Sequence, residues 1–228
     1  MALALIALLL VLALSILPQM WVRGVLARHQ VERTDYPGTG AEFARHVLDR
    51  LGLSQVRVEP TDLGDHYDPE AKVVRLSAPH HDGRSLAAVV VAAHEIGHAM
   101  QDATGYRPLA ARTRLAKQAA GIERFGIIVM MAGPILMLLS KSPLIMALDF
   151  LAGAVIILMS VVIHLVTLPV ELDASFGRAL PVLQSGRYLD DKDMPAAKRI
   201  LRAAAFTYVA AAAMSILDVA RWLRVLRL

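Results

Sequence analysis

Two histidines and a glutamate near the middle of the chain carry the strongest chemical signal in the sequence. His94, Glu95 and His98 form the pattern His-Glu-x-x-His, with the two histidines four positions apart. On a helix, side chains at this spacing project from one face, so both imidazoles can bind a single Zn²⁺. The glutamate lies beside the metal, where it can take a proton from water and later deliver it to a leaving amine. The motif therefore predicts metal-assisted peptide hydrolysis with Glu95 as the general base.

A catalytic zinc needs a third protein ligand from outside this motif, because three protein ligands leave one position open for water. A cysteine ligand is excluded, since the chain contains no cysteine. Two carboxylates, those of Glu171 and Asp173, follow a long apolar run. Pro169 is expected to break the helix formed by that run, and the apolar residues Val170 and Leu172 flank Glu171. The sequence favours Glu171 over Asp173 as the third ligand.

The motif must be held by a helix, and the sequence predicts one around it. Ser85 precedes an apolar, helix-compatible run that is expected to continue through Met100 and to be closed by Gly105 and Pro108. Gly97 inside this helix costs about 1 kcal/mol relative to alanine, so it indicates that another backbone segment approaches closely near the metal. The structural alternative to a zinc site is a buried helix with two core histidines.

Shorter elements precede the motif helix. A helix is predicted over residues 41–51, with Thr39 as its N-cap. Two β-branched runs, residues 56–58 and 73–76, are predicted to be strands separated by a turn. By analogy with other proteases, the strand over residues 73–76 is expected to be the edge along which an extended substrate lies.

Long aliphatic runs indicate membrane helices. Hydrophobic residues make up 56% of the chain and aromatic residues only 5%, so the excess is aliphatic and typical of lipid-facing helices. Residues 2–17 carry no charge and are predicted to be an uncleaved anchor; a signal peptide is the less favoured interpretation, because no basic segment precedes them. Residues 126–139 and 144–168 are predicted to form a helical hairpin, and residues 203–220 either a further span or a packed helix.

We therefore expect a mainly α-helical α+β membrane protein with about three to four transmembrane helices and a small zincin-like domain, which combines the active-site helix with a short β-sheet. The expected segments are an N-terminal transmembrane anchor (1–21), a zincin-like catalytic domain (22–123), a transmembrane helical hairpin (124–168), a membrane-proximal segment with the third zinc ligand (169–202) and a C-terminal hydrophobic helix (203–228).

Charge distribution predicts the orientation and excludes one class of partner. Residues 22–123 and 169–202 hold nearly all Lys and Arg, so the positive-inside rule places both segments in the cytoplasm. The net charge of +4 is spread along the chain without a dense basic block, so nucleic acid is not an expected partner. The expected location is the cell membrane, with several passes and an active site on the cytoplasmic face.

Several stretches, in order along the chain, add to the motif. They are residues 65–69 (Asp-His-Tyr-Asp-Pro), 74–77, 83–88, 92–101 (around His-Glu-Ile-Gly-His), 168–175 (Leu-Pro-Val-Glu-Leu-Asp-Ala-Ser) and 202–210. Together they resemble the YugP-like family of neutral zinc metallopeptidases. The resemblance implies a bacterial integral membrane protease with a gluzincin-type site, distantly similar to HtpX-type proteases, whose third ligand is a downstream glutamate. It implies His94, His98 and Glu171 as ligands and Glu95 as base.

The resemblance also bears on residues around the metal. It implies that His66 and Tyr67 lie near the site. In the HtpX-type pattern an aspartate follows the ligand glutamate by four residues, whereas here Ser175 occupies that place and Asp173 follows by two. Asp173 is therefore the candidate to accept the second N–H of a ligand histidine. Candidates for stabilising the developing oxyanion are His66, Tyr67, Arg178 and Tyr188.

The function predicted from the sequence is that of a membrane-anchored zinc metalloendopeptidase with one Zn²⁺ per chain, a protein or peptide substrate, and the lipid bilayer as its surroundings. An intramembrane protease is disfavoured, because the apolar run before His94 is eight residues long and too short to cross a bilayer. The alternative outside enzymology is a membrane scaffold or adaptor with a structural zinc, which would not need Glu95. The sequence leaves open whether a membrane-protein partner or an oligomer is involved.

Overall fold

Most of the chain is helical in the computed structural model, which describes residues 2–205. In chain order the elements are α1 (Ala2–Arg28), α2 (Gly40–Arg50), β1 (Arg57–Pro60), β2 (His66–Asp68), β3 (Val73–Leu76), α3 (Ala78–His81), α4 (Leu86–Ala103), α5 (Arg107–Ser140), α6 (Pro143–Leu172), a π-helical segment (Asp173–Ala179) and α7 (Leu180–Ser185). A final helical stretch covers residues 194–205. The predicted combination of many helices with a small sheet is confirmed. Most of the C-terminal hydrophobic helix predicted over residues 203–228 lies outside the described residues.

The two predicted helix starts are confirmed by their caps. Thr39 begins α2 with a capping box: its hydroxyl accepts from the backbone N–H of Glu42 at 3.3 Å, and the Glu42 carboxylate accepts from the backbone N–H of Thr39 at 2.8 Å. Ser85 begins α4 by accepting from the backbone N–H of Ala88 at 3.1 Å. Each cap satisfies N–H groups that the first turn of a helix leaves without a partner.

The end of α4 differs in part from the prediction. The helix continues three residues beyond Met100, and Gly105 turns the chain with φ of +65°. Pro108, which was expected to help close α4, is instead the second residue of α5. A proline is well tolerated in the first turn of a helix, because its missing N–H would have no intrahelical partner there.

The sheet has three strands in the order β1-β3-β2, with β1 parallel and β2 antiparallel to β3. The sequence did not predict β2. The prediction that residues 73–76 form a substrate-binding edge is wrong, because β3 is the central strand and both of its sides are paired. Val73, Val74 and Leu76 of this strand are fully buried, as is typical of a strand covered on both sides.

Helices α5 and α6 pack against each other as a hairpin with a two-residue connection. Both run without interruption beyond the segment boundaries expected near residues 123 and 168. The predicted break at Pro169 is wrong, since Pro169 lies inside α6. A proline removes only one backbone donor, and here the helix continues and changes to π-helical hydrogen bonding after Leu172.

Within residues 2–205, one helix is long and apolar enough to cross a membrane; it combines α6 with the helical residues that follow, up to Ser185. The apolar core is divided into two clusters on either side of α4. One cluster contains the end of α1, α7 and the stretch 194–205, and the other contains α2 and the sheet. The two clusters therefore bury most side chains of α4, including those of the motif.

Candidate metal centre

The motif histidines meet a carboxylate that reaches them from a distant part of the chain. His94 and His98 project from α4, and Glu171 projects from the last turn of α6. The Glu171 Oε2 atom lies 3.1 Å from Nε2 of His94 and 3.5 Å from Nε2 of His98. All three side chains are buried, and their potential ligand atoms lie within 4.8 Å of one another. The structure thus brings the three predicted ligands together.

The donor atoms suit a catalytic zinc. Two imidazole nitrogens and one carboxylate oxygen form a ligand set that leaves a fourth tetrahedral position open. The two imidazole rings lie edge to face, with centroids 4.8 Å apart. Among residues 2–205 this is the one cluster of three such side chains that could hold a metal ion.

Each ligand histidine has a hydrogen-bond partner at Nδ1, the ring nitrogen that does not face Glu171. The sequence analysis identified neither partner. Nδ1 of His98 lies 2.9 Å from Oε1 of Gln101, and Nδ1 of His94 lies 3.0 Å from Oγ of Ser175. Such partners orient the imidazole ring and direct its other nitrogen toward the metal. A signal for Gln101 existed, since it lies three residues after His98 and hence on the same face of the helix. Ser175 follows Glu171 by four residues, one helical turn further along the chain.

The contacts of Gln101 determine which nitrogen of His98 carries the proton. Its amide nitrogen donates to the backbone carbonyl of Val170 and to Oδ2 of Asp173, each at 2.8 Å. Because these oxygens can only accept, the carbonyl end of Gln101 must face His98, whose Nδ1 then donates. This leaves the lone pair of Nε2 free for a metal ion.

Gln101 lies between Asp173 and the ligand histidine that Asp173 was predicted to contact. Instead of contacting a ligand histidine, it accepts from Gln101 and from Nε of Arg178, the latter at 2.8 Å. Partial burial acts to raise the pKa of Asp173, but these two donors and the charge of the guanidinium together outweigh it and lower the pKa. Asp173 is therefore ionised and orients Gln101.

Gly97 allows α4 to approach the π-helical segment. A Cβ atom at this position would lie 2.5 Å from the backbone carbonyl oxygen of Ala174. The expected close approach of a second backbone segment is therefore confirmed. This contact sets the distance between the helix that carries the histidines and the chain on either side of Ala174, which carries Glu171 and Ser175.

Glu95 lies beside the ligands and lines a cavity of about 220 Å³ with His94 and Glu171. Burial raises the pKa of Glu95 to about 7, and the negative charges of Glu171 and Asp65 add to the increase. A general base is most effective when its pKa is near the working pH. A cation bound by the three ligands would oppose this increase.

Two charged residues near the site were not found from the sequence. The guanidinium Nη2 of Arg112, on α5, lies 3.6 Å from Oε1 of Glu171, the oxygen that does not face the histidines. Asp65 lines the cavity and is held by hydrogen bonds to Ser77 and His80. No spacing in the sequence relates either residue to the motif. Asp65 belongs to the stretch 65–69 that carries the family resemblance, but only the tertiary fold shows that it lines the cavity.

The remaining predicted candidates make their contacts elsewhere. Nδ1 of His66 lies 2.8 Å from the carbonyl oxygen of Gly64, and the hydroxyl of Tyr67 donates to Asp102 at 2.6 Å. Arg178 contacts Asp173, as described above. Tyr188 packs edge-on against the ring of Phe43 in the core. None of the four predicted oxyanion stabilisers (His66, Tyr67, Arg178 and Tyr188) lines the cavity beside Glu95.

The site has the composition of a zinc peptidase centre. Two buried histidines on one helix meet a downstream glutamate, and the motif glutamate, Glu95, lies beside them. Comparison with known proteins gives the family. The family described as "Putative neutral zinc metallopeptidase" matches residues 4–227. The chain belongs to this family, as the resemblance implied.

A curated relative supports the same assignment. The chain is 35% identical over 217 residues, 94% of its own length and 92% of the relative's, to the "Putative membrane protease YugP" of Bacillus subtilis (strain 168). No solved structure is a significant match. The family and the buried ligand set together identify zinc as the cofactor.

Proposed function

We propose that the chain is a membrane-anchored zinc metalloendopeptidase that acts on membrane or membrane-proximal proteins. The observation that carries this proposal is the convergence of His94, His98 and Glu171 with Glu95 beside them on one cavity. The family's description and the name of the relative support peptide hydrolysis at a membrane. A scaffold with a structural zinc would have no use for a desolvated carboxylate at this position.

The roles of the chain's own residues follow from their positions. When bound, zinc supplies a Lewis acid that polarises the scissile carbonyl and lowers the pKa of water toward about 7. Glu95 accepts a proton from the attacking water and returns it to the leaving nitrogen. Gln101 and Ser175 hold the imidazoles in orientation, and Arg112 keeps positive charge beside Glu171.

Substitution of Glu95 tests the catalytic role. Purified full-length protein should contain about one zinc per chain and cleave casein or itself. Glu95→Gln should keep the zinc and lose the cleavage, whereas Glu32→Gln, at an exposed site, should keep both. If Glu95→Gln matches the wild type in every proteolytic assay, the scaffold interpretation replaces the peptidase.

We further propose a multi-pass topology in the cell membrane, with α1 as an anchor, the α5–α6 hairpin in the bilayer, the C-terminal helix as a further span or a packed helix, and the metal centre on the cytoplasmic side. The long apolar character of α6 and its exposed aliphatic side chains support the hairpin. The charge distribution supports one shared side for residues 22–123 and 169–202.

Single cysteines can test this topology cleanly, because the chain has none of its own. A membrane-impermeant maleimide should label Lys141→Cys, at the hairpin connection, in intact cells. It should label Asp191→Cys, at an exposed position, only after permeabilisation. Labelling of both positions from the same side would refute the hairpin, and the reverse pattern would place the metal centre outside.

A further inference from the structure

The cavity beside Glu95 has a polar end and an aliphatic end. Three ionisable side chains of the metal centre, those of His94, Glu95 and Glu171, form the polar end. The rest of the wall, apart from Asp65, is aliphatic and comes from three separate elements: α1, α4 and the stretch 194–205. Among these side chains are Val22, Leu26, Val91, Ile200 and Ala204.

The size and chemistry of the cavity suit an apolar side chain. Its volume of about 220 Å³ is several times the roughly 30 Å³ that one water occupies in the liquid. Water at the aliphatic end would find few hydrogen-bond partners, and displacing it by a hydrocarbon group is favourable. The cavity is large enough to admit a branched aliphatic side chain of the size of leucine.

The charges around the cavity disfavour acidic side chains. Besides Glu95 and Glu171, the wall contains Asp65, whose two carboxylate oxygens both have hydrogen-bond partners within the protein. Its Oδ1 accepts from the backbone N–H and the hydroxyl of Ser77, at 2.7 and 2.9 Å, and its Oδ2 lies 2.8 Å from Nδ1 of His80. Asp65 therefore adds negative charge to the wall, and part of its acceptor capacity is used within the protein.

We propose that this cavity is the subsite for an aliphatic side chain next to the scissile bond, so that the enzyme selects substrates with leucine-sized apolar residues at that position. The inference rests on the proposed peptidase function, because a peptide carbonyl at the metal would place a flanking side chain at the mouth of the cavity. Two walls come from the end of α1 and from the start of the C-terminal apolar run. The subsite is thus built where the proposed membrane helices end.

Binding of zinc-directed probes tests the subsite without turnover. The probes are two N-acyl amino acid hydroxamates, one of leucine and one of alanine, titrated into zinc-loaded full-length Glu95→Gln protein. The leucine compound should bind at least about tenfold more tightly, since even one methylene in an apolar pocket discriminates by about that factor. Equal affinities would overturn the proposal.

Variants that fill the cavity should remove this preference. Ala204→Phe and Val22→Phe, made in the same Glu95→Gln protein, each place a large side chain in the wall, so the ratio of the two affinities should fall to near one while zinc content stays unchanged. Ala27→Phe, on the exposed face of α1, is the matched control and should keep the wild-type ratio. If the preference survives in both cavity variants, the assignment of the subsite is wrong.

Mapping the cleavage sites in casein separates this inference from the proposed function. Zinc-dependent and Glu95-dependent cleavage should show enrichment of Leu, Ile, Val, Met or Phe at one fixed position beside the scissile bond. Cleavage without such enrichment would overturn the subsite and leave the peptidase intact. Leucine selectivity in the hydroxamate titration without any cleavage would overturn the peptidase and leave an apolar ligand site.

Discussion

Helix α4 and the α5–α6 hairpin are both rich in aliphatic residues, yet protein covers only the first. In α4 nearly every side chain is buried between the two core clusters, including the motif residues. The hairpin instead exposes large apolar side chains, several of them more than two-thirds accessible, such as Phe125, Met131, Leu138 and Leu139. An aliphatic helix is therefore expected to be shielded from water, but its composition does not tell whether protein or lipid shields it. For the hairpin we propose lipid.

The two regions also differ in what their glycines meet. Gly97 of α4 faces a backbone carbonyl of the π-helical segment, whereas Gly133 of α5 faces the side-chain carboxyl of Asp149 on α6. A side chain can rotate away from an added methyl group, but a packed backbone cannot. The contact around α4 is thus rigid and sets the distance between the ligand histidines and the segment around Ala174, while the hairpin contact can adapt.

The largest effect should come from removing the ligand that joins the two regions, since α6 begins in the hairpin and ends at the metal. Glu171→Ala should lower zinc affinity more than 100-fold, because it removes a direct ligand and leaves an open coordination position. Asp173→Ala should cost about tenfold or less, as it acts through Gln101. Competition with a chelator measures both. The opposite order would contradict the ligand assignment.

The second prediction compares the glycines directly. Gly97→Ala should reduce stability by about 1–3 kcal/mol and zinc affinity by tenfold or more, because α4 and the π-helical segment must separate. Gly133→Ala should have a smaller effect. Gly121→Ala, with open space around it, should be neutral or slightly stabilising. Thermal unfolding in detergent and chelator competition give the two readouts, and equal behaviour of Gly97→Ala and Gly121→Ala would refute the rigid contact.

The third prediction concerns Glu95, whose carboxyl is buried because protein packs around α4. Because burial raises its pKa from 4.5 to about 7, the folded state holds this proton more tightly than the unfolded state. In zinc-free protein the stabilisation from this more tightly held proton is thus fully present below pH 4.5 and is lost as the pH rises through 7. The free energy of unfolding should fall by at most about 3 kcal/mol over this range.

Glu95→Gln should remove this dependence in zinc-free protein. The difference in Tm between the variant and the wild type should grow in favour of the variant from pH 5 to pH 8. A difference that stays constant over this range would show that Glu95 is not desolvated.

The fourth prediction concerns the hydrogen-bond partners of the two ligand histidines. Gln101→Ala should lower zinc affinity by about 10- to 100-fold, because it also leaves the Val170 carbonyl and Asp173 without their donor. Ser175→Ala removes one hydrogen bond to His94 and should cost about tenfold or less. Chelator competition ranks the two, and a larger loss for Ser175→Ala would show that His94 depends more on its partner than His98 does.

Local signals were predictable because they depend on neighbours in the chain. Thr39 and Ser85 begin helices as expected, since a cap needs only the N–H groups of the next turn. The role of Gly97 was predictable in kind, because a glycine inside a helix indicates close packing. Pro108 and Pro169 were misjudged, since a proline is compatible with the first turn of a helix and with a helix that changes to π-helical hydrogen bonding.

The sequence by itself determined the chemistry of the site: the spacing of His94, Glu95 and His98 follows from helical periodicity alone, and Glu171 followed from the need for a third ligand together with the family resemblance. Only the tertiary structure decided that β3 is central, that Gln101 rather than Asp173 contacts His98, and that Arg112 and Asp65 lie near the ligands. Apart from the contact between Gln101 and His98, which are three residues apart, these features join residues far apart in the chain. They depend on which surfaces pack together, and periodicity along one element carries no information about that choice.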